Sequence, residues 1–223
     1  MDTAVNTGVT GSGIGAPMRR IEDSRFLTGQ GRYVDDLKLP DMVHAHVVRS
    51  PHAHARIRRI ETAAARAAPG VLAVLTHEDV TRDGLGNLPC KFMPPAGSAV
   101  AYTPSHPILA TGKVRHVGDR IALVIAETLA QAKDAGELVE VDYEPLPSAT
   151  ALETVLSHDA PIVWDEAPSN LWVQLERGDR AAVDRAFASA AHVARRTIRY
   201  PRASANSIEP RAAVGVFHRF DGR

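Results

Sequence analysis

The clearest pattern of apolar and polar positions runs from residue 113 to residue 147. Residues 121–126 form an unbroken apolar run of strand length, which predicts a strand covered on both faces. Residues 128–138 predict a helix, because Thr128 and Gln131 form a capping box and apolar residues follow at helical spacing. The side chains expected on its inner face are Leu129, Ala132, Gly136 and Val139.

A half-exposed strand is predicted directly after this helix. Residues 139–144 alternate between apolar and acidic side chains, which is the period of a strand with one face in water. Pro145 and Pro147 end it, because proline cannot donate a ladder hydrogen bond. A strand–helix–strand unit favours parallel strands with a right-handed crossover. We therefore expect residues 121–126 and 139–143 in one sheet, covered by the helix.

Shorter patterns predict the other elements of a mixed α/β fold. Residues 82–110 contain five prolines and no sustained period. We interpret this loop as a contact surface, since Phe92, Met93 and Tyr102 are costly to leave in water. Strands are predicted at 42–48, 55–61, 71–75, 192–200 and 213–220, and helical segments at 62–68, 76–80, 151–156 and 179–190, with Thr76 and Asp179 as caps.

Composition and charge exclude several classes of function. Hydrophobic residues make up 44% and charged residues 23%, as in ordinary globular proteins. Basic and acidic residues number 26 each, so the chain has no net charge that would attract it to nucleic acid or to a membrane surface. The single Cys90 excludes an internal disulfide and an iron–sulfur cluster or thiolate zinc site built from this chain alone. No apolar run approaches the ~20 residues of a membrane span, and cytoplasmic is the expected location.

Histidines and arginines are the residues that could carry chemistry. His44 and His46 share one strand face, and His52 and His54 repeat the spacing across a turn, so the four could clasp zinc or copper. No carboxylate or cysteine stands near in sequence to complete a site. We therefore predict no metal site and favour the alternative, in which two solvent-facing strand histidines lie beside two turn histidines. The arginines that gather near the C-terminus could hold an anionic cofactor or an acidic partner, or form a solvated face: Arg195, Arg196, Arg199, Arg202, Arg211, Arg219 and Arg223.

Several segments stand in an order that indicates a known family. RFLTGQGRYVDDLKLPDMVHAHVVRS, PILATGKVRHVGDRIALVIAET, GDRAAVDRAFASAAHV and ANSIEPRAAVGVF follow one another with fitting spacing. Together they resemble the start of the molybdenum hydroxylase large subunit, the family of xanthine dehydrogenase, aldehyde oxidase and aerobic carbon monoxide dehydrogenase. The resemblance covers roughly residues 13–220.

The resemblance implies a domain plan and a set of cofactors. Residues 1–20 would be a flexible tail, residues 21–150 an α/β hammerhead domain with a mixed sheet, and residues 151–223 a linker with the truncated start of a molybdopterin-binding domain. Such enzymes hold molybdenum on molybdopterin in the complete large subunit. The expected partners are the remainder of that subunit, an iron–sulfur small subunit with the [2Fe–2S] clusters and a medium subunit with FAD. Nucleic acid is not an expected partner.

Two residues of the ANSIEP segment match a region near the active site of relatives. These candidates are Asn206 and Glu209, and a structural role for Glu209, paired with Arg211 or a backbone amide, is the alternative. The family's pterin-contacting glutamine, glycine-rich loop and catalytic glutamate match nothing here, so no catalytic or cofactor-holding residue is predicted. The chain is expected to be the N-terminal portion of an oxidoreductase acting on an aldehyde, an N-heterocycle, a purine or carbon monoxide, and inactive alone. The alternative is a stand-alone hammerhead module for interaction or assembly.

Overall fold

The computed structural model describes residues 20–89, 94, 98–200, 204, 206, 207, 209 and 211–217, which divide into two units. The larger unit comprises residues 41–196, and the smaller one residues 1–40 with 197–223. The smaller unit contains α1 (Asp23–Leu27) and a 3-10 turn (Val34–Asp36). The larger unit contains, in chain order, β1 (His44–Arg49), β2 (Ala55–Glu61), α2 (Ala63–Ala67), β3 (Val71–Leu75), α3 (His77–Arg82), β4 (Ala99–Val100), β5 (Lys113–Val114), β6 (Arg120–Ala126), α4 (Leu129–Glu137), β7 (Glu140–Pro145), β8 (Val173–Gln174) and α5 (Arg180–Ser189).

The strands of the larger unit form three antiparallel sheets. One sheet has the order β1-β6-β3, the second has the order β5-β2-β7, and β4 pairs with β8 in a two-stranded ladder. In the first sheet β6 is central, and its Val124 lies opposite His46 of β1 and Val74 of β3. The mixed α/β architecture predicted from the sequence is therefore present.

The predicted parallel pairing of residues 121–126 with residues 139–143 is wrong. β6 and β7 lie in different sheets, and within the described part of the chain the ladders are antiparallel. The reason is that β7 has a better partner in β2, where Arg56 lies opposite Glu144 and Arg59 opposite Asp142. Opposite charges on facing strands stabilise a ladder, whereas like charges do not. Asp142 and Glu144 of β7 thus match Arg59 and Arg56 of β2, although the ladder ends on the like-charged pair of Glu61 and Glu140.

Helix α4 begins where the sequence predicted. The Thr128 hydroxyl accepts a hydrogen bond from the Gln131 backbone N–H at 3.2 Å, and Gln131 Oε1 accepts one from the Thr128 backbone N–H at 3.0 Å. Ala132 and Gly136 face the sheet as expected. Leu129 does not, since it is 44% exposed. It is the first residue of the helix, and the two turns that reach the sheet are filled by smaller residues.

Two apolar clusters form the core of the larger unit. One lies between the first sheet and the helices α2 and α4, and its fully buried members include Ala65, Val74 and Val124. The other surrounds the fully buried Ile121. Val48, Ile60 and Val141 pack against both clusters, so the two sheets share one continuous interior.

Helix α3 is held by a second capping box. The predicted cap Thr76 donates its backbone N–H to Asp79 Oδ2 at 2.8 Å, and the helix runs to Arg82, beyond the predicted single turn. The Asp79 side chain is only 11% exposed and pairs with Arg82 at 2.8 Å. That backbone hydrogen bond lowers the pKa of Asp79; burial opposes it, and Arg82 assists it.

The C-terminal part contains less regular structure than the sequence predicted. Residues 151–156 form hydrogen-bonded turns instead of a helix, and neither residues 192–200 nor residues 213–217 form strands. A strand needs a ladder partner, and the described residues give these segments none. α5 is present, because Asp179 accepts a hydrogen bond from Ala182 N–H at 2.9 Å. Residues 218–220 and the predicted contact residues Phe92 and Met93 lie outside the described residues.

No helix in the described part of the chain combines the length and apolarity needed to cross a lipid bilayer.

Candidate functional site

Glu209 makes a defined contact within the smaller unit. Its Oε1 accepts a hydrogen bond from the Val34 backbone N–H at 3.0 Å, at the first residue of the 3-10 turn. Ser207 Oγ also donates to the Glu209 carbonyl at 2.9 Å, whereas Asn206 is exposed. The backbone amide contact matches the structural alternative for Glu209. A carboxylate engaged in this way positions residues 34–36.

The four early histidines have different environments. His44 and His46 lie on the half-buried face of β1, so the alternative of solvent-facing strand histidines is wrong for this pair. The His46 ring lies against Gly136 of α4, where a methyl group would come within 2.7 Å of its Cδ2 atom. His54 is 6% exposed, and its Nδ1 lies 2.7 Å from the Pro147 carbonyl oxygen. His52 packs on Tyr143, with ring centroids 4.8 Å apart.

These environments make the histidines packing and tethering residues. Nδ1 of His54 donates to a carbonyl, because a carbonyl oxygen can only accept, and this bond ties the end of β7 to the start of β2. Among the residues that the structure describes, no group of three or more histidine, cysteine, aspartate or glutamate side chains could hold a metal ion.

Ser50, His52 and Tyr143 form a small polar cluster at the turn after β1. The Ser50 hydroxyl accepts from the His52 backbone N–H at 3.0 Å, which is a turn-stabilising bond and not a nucleophile–base pair. Burial raises the pKa of the Tyr143 hydroxyl, although a hydrogen bond with Ser50 acts in the opposite direction. Tyr143 therefore stays neutral in ordinary buffers and can serve only as a hydrogen-bonding group.

A pair of cations at β5 is the feature that sequence reasoning missed. Lys113 is only 8% exposed, and its Nζ donates to Asp165 Oδ1 and Oδ2 at 2.6 Å and 2.5 Å. The Arg115 guanidinium carbon lies 3.9 Å from the centroid of the Trp164 ring. The sequence shows two basic residues, Lys113 and Arg115, on either side of Val114. No pattern in the neighbouring sequence indicates that they contact residues about fifty positions later.

The electrostatics of this cluster favour a structural role for Asp165 as the ionised partner of Lys113. The hydrogen bond from Lys113 lowers the pKa of Asp165, and burial works against this only in part. The charges of Lys113, Arg56 and Arg115 lower it further. Asp165 is thus ionised at neutral pH and is a poor proton donor or acceptor, but a good anchor for an ammonium group.

The C-terminal arginines are only partly covered by the described residues. Arg195, Arg196 and Arg211 are exposed, which fits a solvated face as well as a partner surface. Arg202, Arg219 and Arg223 lie outside the described residues. Both interpretations of this arginine-rich stretch therefore stay open.

Comparison with known families gives a match over the middle of the chain. The family model described as "Aldehyde oxidase and xanthine dehydrogenase, a/b hammerhead domain" matches residues 28–147. This range contains β1 to β7 and therefore both apolar clusters.

Curated proteins match over most of the chain. The carbon monoxide dehydrogenase large chain of Afipia carboxidovorans is 36% identical over 94% of this chain and 26% of its own length. The nicotine 6-hydroxylase large subunit of Paenarthrobacter nicotinovorans is 34% identical over 94% of this chain and 25% of its own length. The chain thus spans about a quarter of the length of these relatives.

Solved structures of related enzymes have the same fold. The Cu,Mo-CO dehydrogenase structure is 37% identical, with a TM-score of 0.62 over 80% of this chain and 23% of its own chain. The quinoline 2-oxidoreductase of Pseudomonas putida 86 is 39% identical, with a TM-score of 0.64 over 78% of this chain and 21% of its own chain.

Proposed function

Since the chain belongs to the aldehyde oxidase and xanthine dehydrogenase family of oxidoreductases, we propose that it is the N-terminal portion of a molybdopterin-binding large subunit. The proposal rests on the unequal coverage of the two aligned chains. The alignment includes 94% of this chain but only 26% of a carbon monoxide dehydrogenase large chain. The α/β hammerhead expected from the sequence is the domain that the family model matches.

The whole subunit would hydroxylate an aldehyde, an N-heterocycle or a purine, or oxidise carbon monoxide, with water as the oxygen source. Molybdopterin would supply the redox chemistry once bound by the complete subunit. The proposed partners are the remainder of the large subunit, a small subunit with the [2Fe–2S] clusters and a medium subunit with FAD. The cytoplasm is the proposed location.

The described residues do not fit a complete molybdopterin site. An anionic pterin needs several donors directed at one site, yet the buried Lys113 already binds Asp165 and the half-buried Arg115 beside it lies over the Trp164 ring. We therefore assign no catalytic step to this chain. Asn206 and Glu209 remain the residues proposed to lie near the active site, with Glu209 acting through Val34 as a positioning residue.

Exposed apolar side chains after β8 support a partner that covers them. Val183 and Phe187 on α5 are 50% and 56% exposed, and Phe217 is 69% exposed. Exposed apolar side chains on one helix face, as on α5, are typical of an interaction site. We propose that the remainder of the large subunit covers these side chains.

Complementation tests the proposal. The chain is co-expressed with the missing three quarters of a related large subunit, and molybdenum content and substrate-dependent dye reduction are measured. We expect both with the complement and neither with the chain alone. Dye reduction by the purified chain alone would refute the proposal.

The alternative is a stand-alone hammerhead used for assembly, and it is favoured by the closed interior that β1 to β7 build without other segments. Amide exchange of the free chain separates the two. Slow exchange of α5 equal to that of β6 supports the module, whereas fast exchange after about residue 175 supports the longer subunit.

A further inference from the structure

Residues 161–174, named the strap here, follow a fixed path although they contain little regular structure. β8 at the end of the strap pairs with β4, and the Trp172 carbonyl accepts from the Ala101 backbone N–H at 2.9 Å. Asn170 closes the strap on itself: its Nδ2 donates to the Pro161 carbonyl at 2.9 Å, and its Oδ1 accepts from the Val163 backbone N–H at 3.0 Å. The strap is therefore a structured segment and not a loose linker.

We propose that Lys113 and Arg115 form a latch that holds the strap through Asp165 and Trp164 and that opens without unfolding the two apolar clusters. This proposal concerns the chain itself and does not depend on the enzyme to which it belongs.

The spacing of the two cations suits this task. Lys113 belongs to β5 and Arg115 follows directly after it, so in an extended chain the two side chains leave the backbone on the same side. They contact consecutive strap residues, Asp165 through its carboxylate and Trp164 through its ring. A residue of β5 and the residue that directly follows this strand thus contact two consecutive residues of the strap.

The charge pair gives the latch its specificity. A buried ammonium group is costly without an anionic partner. The neighbouring strand does not supply one, because the residue opposite Lys113 on β2 is another cation, Arg56. Asp165, whose side chain is 60% exposed, brings the carboxylate from the strap. The buried partner is fixed in the sheet and the exposed partner moves with the strap.

The contact between Arg115 and the Trp164 ring attaches the strap at a second position, independent of the charge pair. A guanidinium over an indole ring is worth roughly 0.5–2 kcal/mol, depending on its exposure to water. Arg115 is oriented by its own backbone N–H, which donates to Asp119 Oδ2 at 3.0 Å. The Tyr102 ring also lies 6.3 Å from the Trp164 ring. Trp164 therefore contacts both a cation and an aromatic ring.

Opening of the latch is expected to be local. Neither Asp165 nor Trp164 belongs to the apolar clusters, whose members all lie between residues 48 and 143 and include residues of α2 and α4. Segments with few buried apolar contacts open at lower free energy than core strands. Strap amides should therefore exchange through a separate, smaller opening.

Hydrogen exchange of the whole chain, read by mass spectrometry, tests the latch. The variants are Asp165→Asn and Arg115→Gln, with the swap Lys113→Asp plus Asp165→Lys as the rescue. Asp159→Asn and Lys133→Met are matched controls, because both of these side chains are exposed. Trp164 exposure is followed by acrylamide quenching in a Trp172→Phe background.

We expect exchange in residues 161–174 to become on the order of tenfold faster in Asp165→Asn and in Arg115→Gln, while residues 121–126 keep their protection. The swap should restore a good part of the strap's protection, and the controls should match the parent. Unchanged strap exchange in both single variants would overturn the latch. Equal acceleration of strap and β6 would also overturn it, since the contacts would then belong to the global fold. Should the swap fail to fold, the two single variants still decide between these outcomes.

Discussion

The contact between Gly136 and His46 predicts that a helix-favouring substitution will destabilise the protein. Replacing a helical glycine by alanine normally stabilises a helix by about 0.8–1.0 kcal/mol. At Gly136 the new methyl carbon would lie 2.7 Å from His46 Cδ2, 3.3 Å from Nε2 and 3.7 Å from Val48 Cγ2. Overpacking of this kind costs about 1–3 kcal/mol. Gly136→Ala should therefore lower the free energy of unfolding by about 1 kcal/mol.

The sign of the effect should reverse when the ring is removed. In a His46→Ala background the obstacle is gone, so Gly136→Ala should stabilise the chain by nearly the full helix-propensity gain of about 1 kcal/mol. The pair would thus show a coupling of about 2 kcal/mol, which is large for one methyl group and one ring. Gly86→Ala is the control, because a methyl group there meets nothing within 4 Å.

Thermal unfolding followed by circular dichroism measures this coupling. For a chain of 223 residues, 1 kcal/mol shifts the Tm by about 2–4 °C. We expect a lower Tm for Gly136→Ala than for the parent, and a higher Tm for the double variant than for His46→Ala alone. A higher Tm for Gly136→Ala in the parent background would contradict the packing argument, since α4 would then have room to shift away from β1.

Three further predictions concern the cap of α3, the core and α5. Asp79→Ala should lower the free energy of unfolding by about 0.5–2 kcal/mol at neutral pH. Because the folded pKa of Asp79 lies below its unfolded value of about 3.9, this difference should disappear as the pH falls from about 4 through the folded pKa. Urea unfolding at several pH values would show it. Val124→Ala should cost about 1.5–3 kcal/mol because Val124 is fully buried, whereas Val117→Ala at a 65% exposed position should cost almost nothing by the same urea assay. The exposed Phe187 ring should cause the isolated chain to self-associate, so Phe187→Ser should reduce the oligomer fraction in sedimentation velocity without lowering the Tm. A lower Tm would mean that the Phe187 ring is packed in solution.

Features encoded within a few residues were predictable from the sequence. The caps at Thr128 and Asp179 were correct because a capping bond joins residues three positions apart. The strands at 55–61 and 71–75 were predicted with the bounds that the structure has. In each case the signal and the structure lie in the same short window.

Features that depend on distant partners were not predictable in this way. The pairing of β7 with β2 required a comparison of charges at residues about ninety positions apart, and proximity in sequence favoured β6 instead. The Lys113–Asp165 bond spans 52 positions. The His46 ring is partly buried against Gly136 of α4, where the absent side chain leaves room for it. This contact becomes apparent only when the position of α4 over β1 is known. The resemblance to a known family named the hammerhead without revealing any of these contacts.

The strand order has a consequence for synthesis on the ribosome. β1, β2 and β3 are made first, yet none of them pairs with another: β1 and β3 both pair with β6, and β2 pairs with β5 and β7. Until residue 126 has left the exit tunnel, these three strands have no ladder partner among one another and expose unpaired edges. Long-range pairing is slow, and unpaired edges invite aggregation. The nascent chain therefore has a vulnerable interval that shortens when β6 inserts between β1 and β3 and ends when β7 pairs with β2. A pause in translation before that point would lengthen the chain's dependence on chaperones.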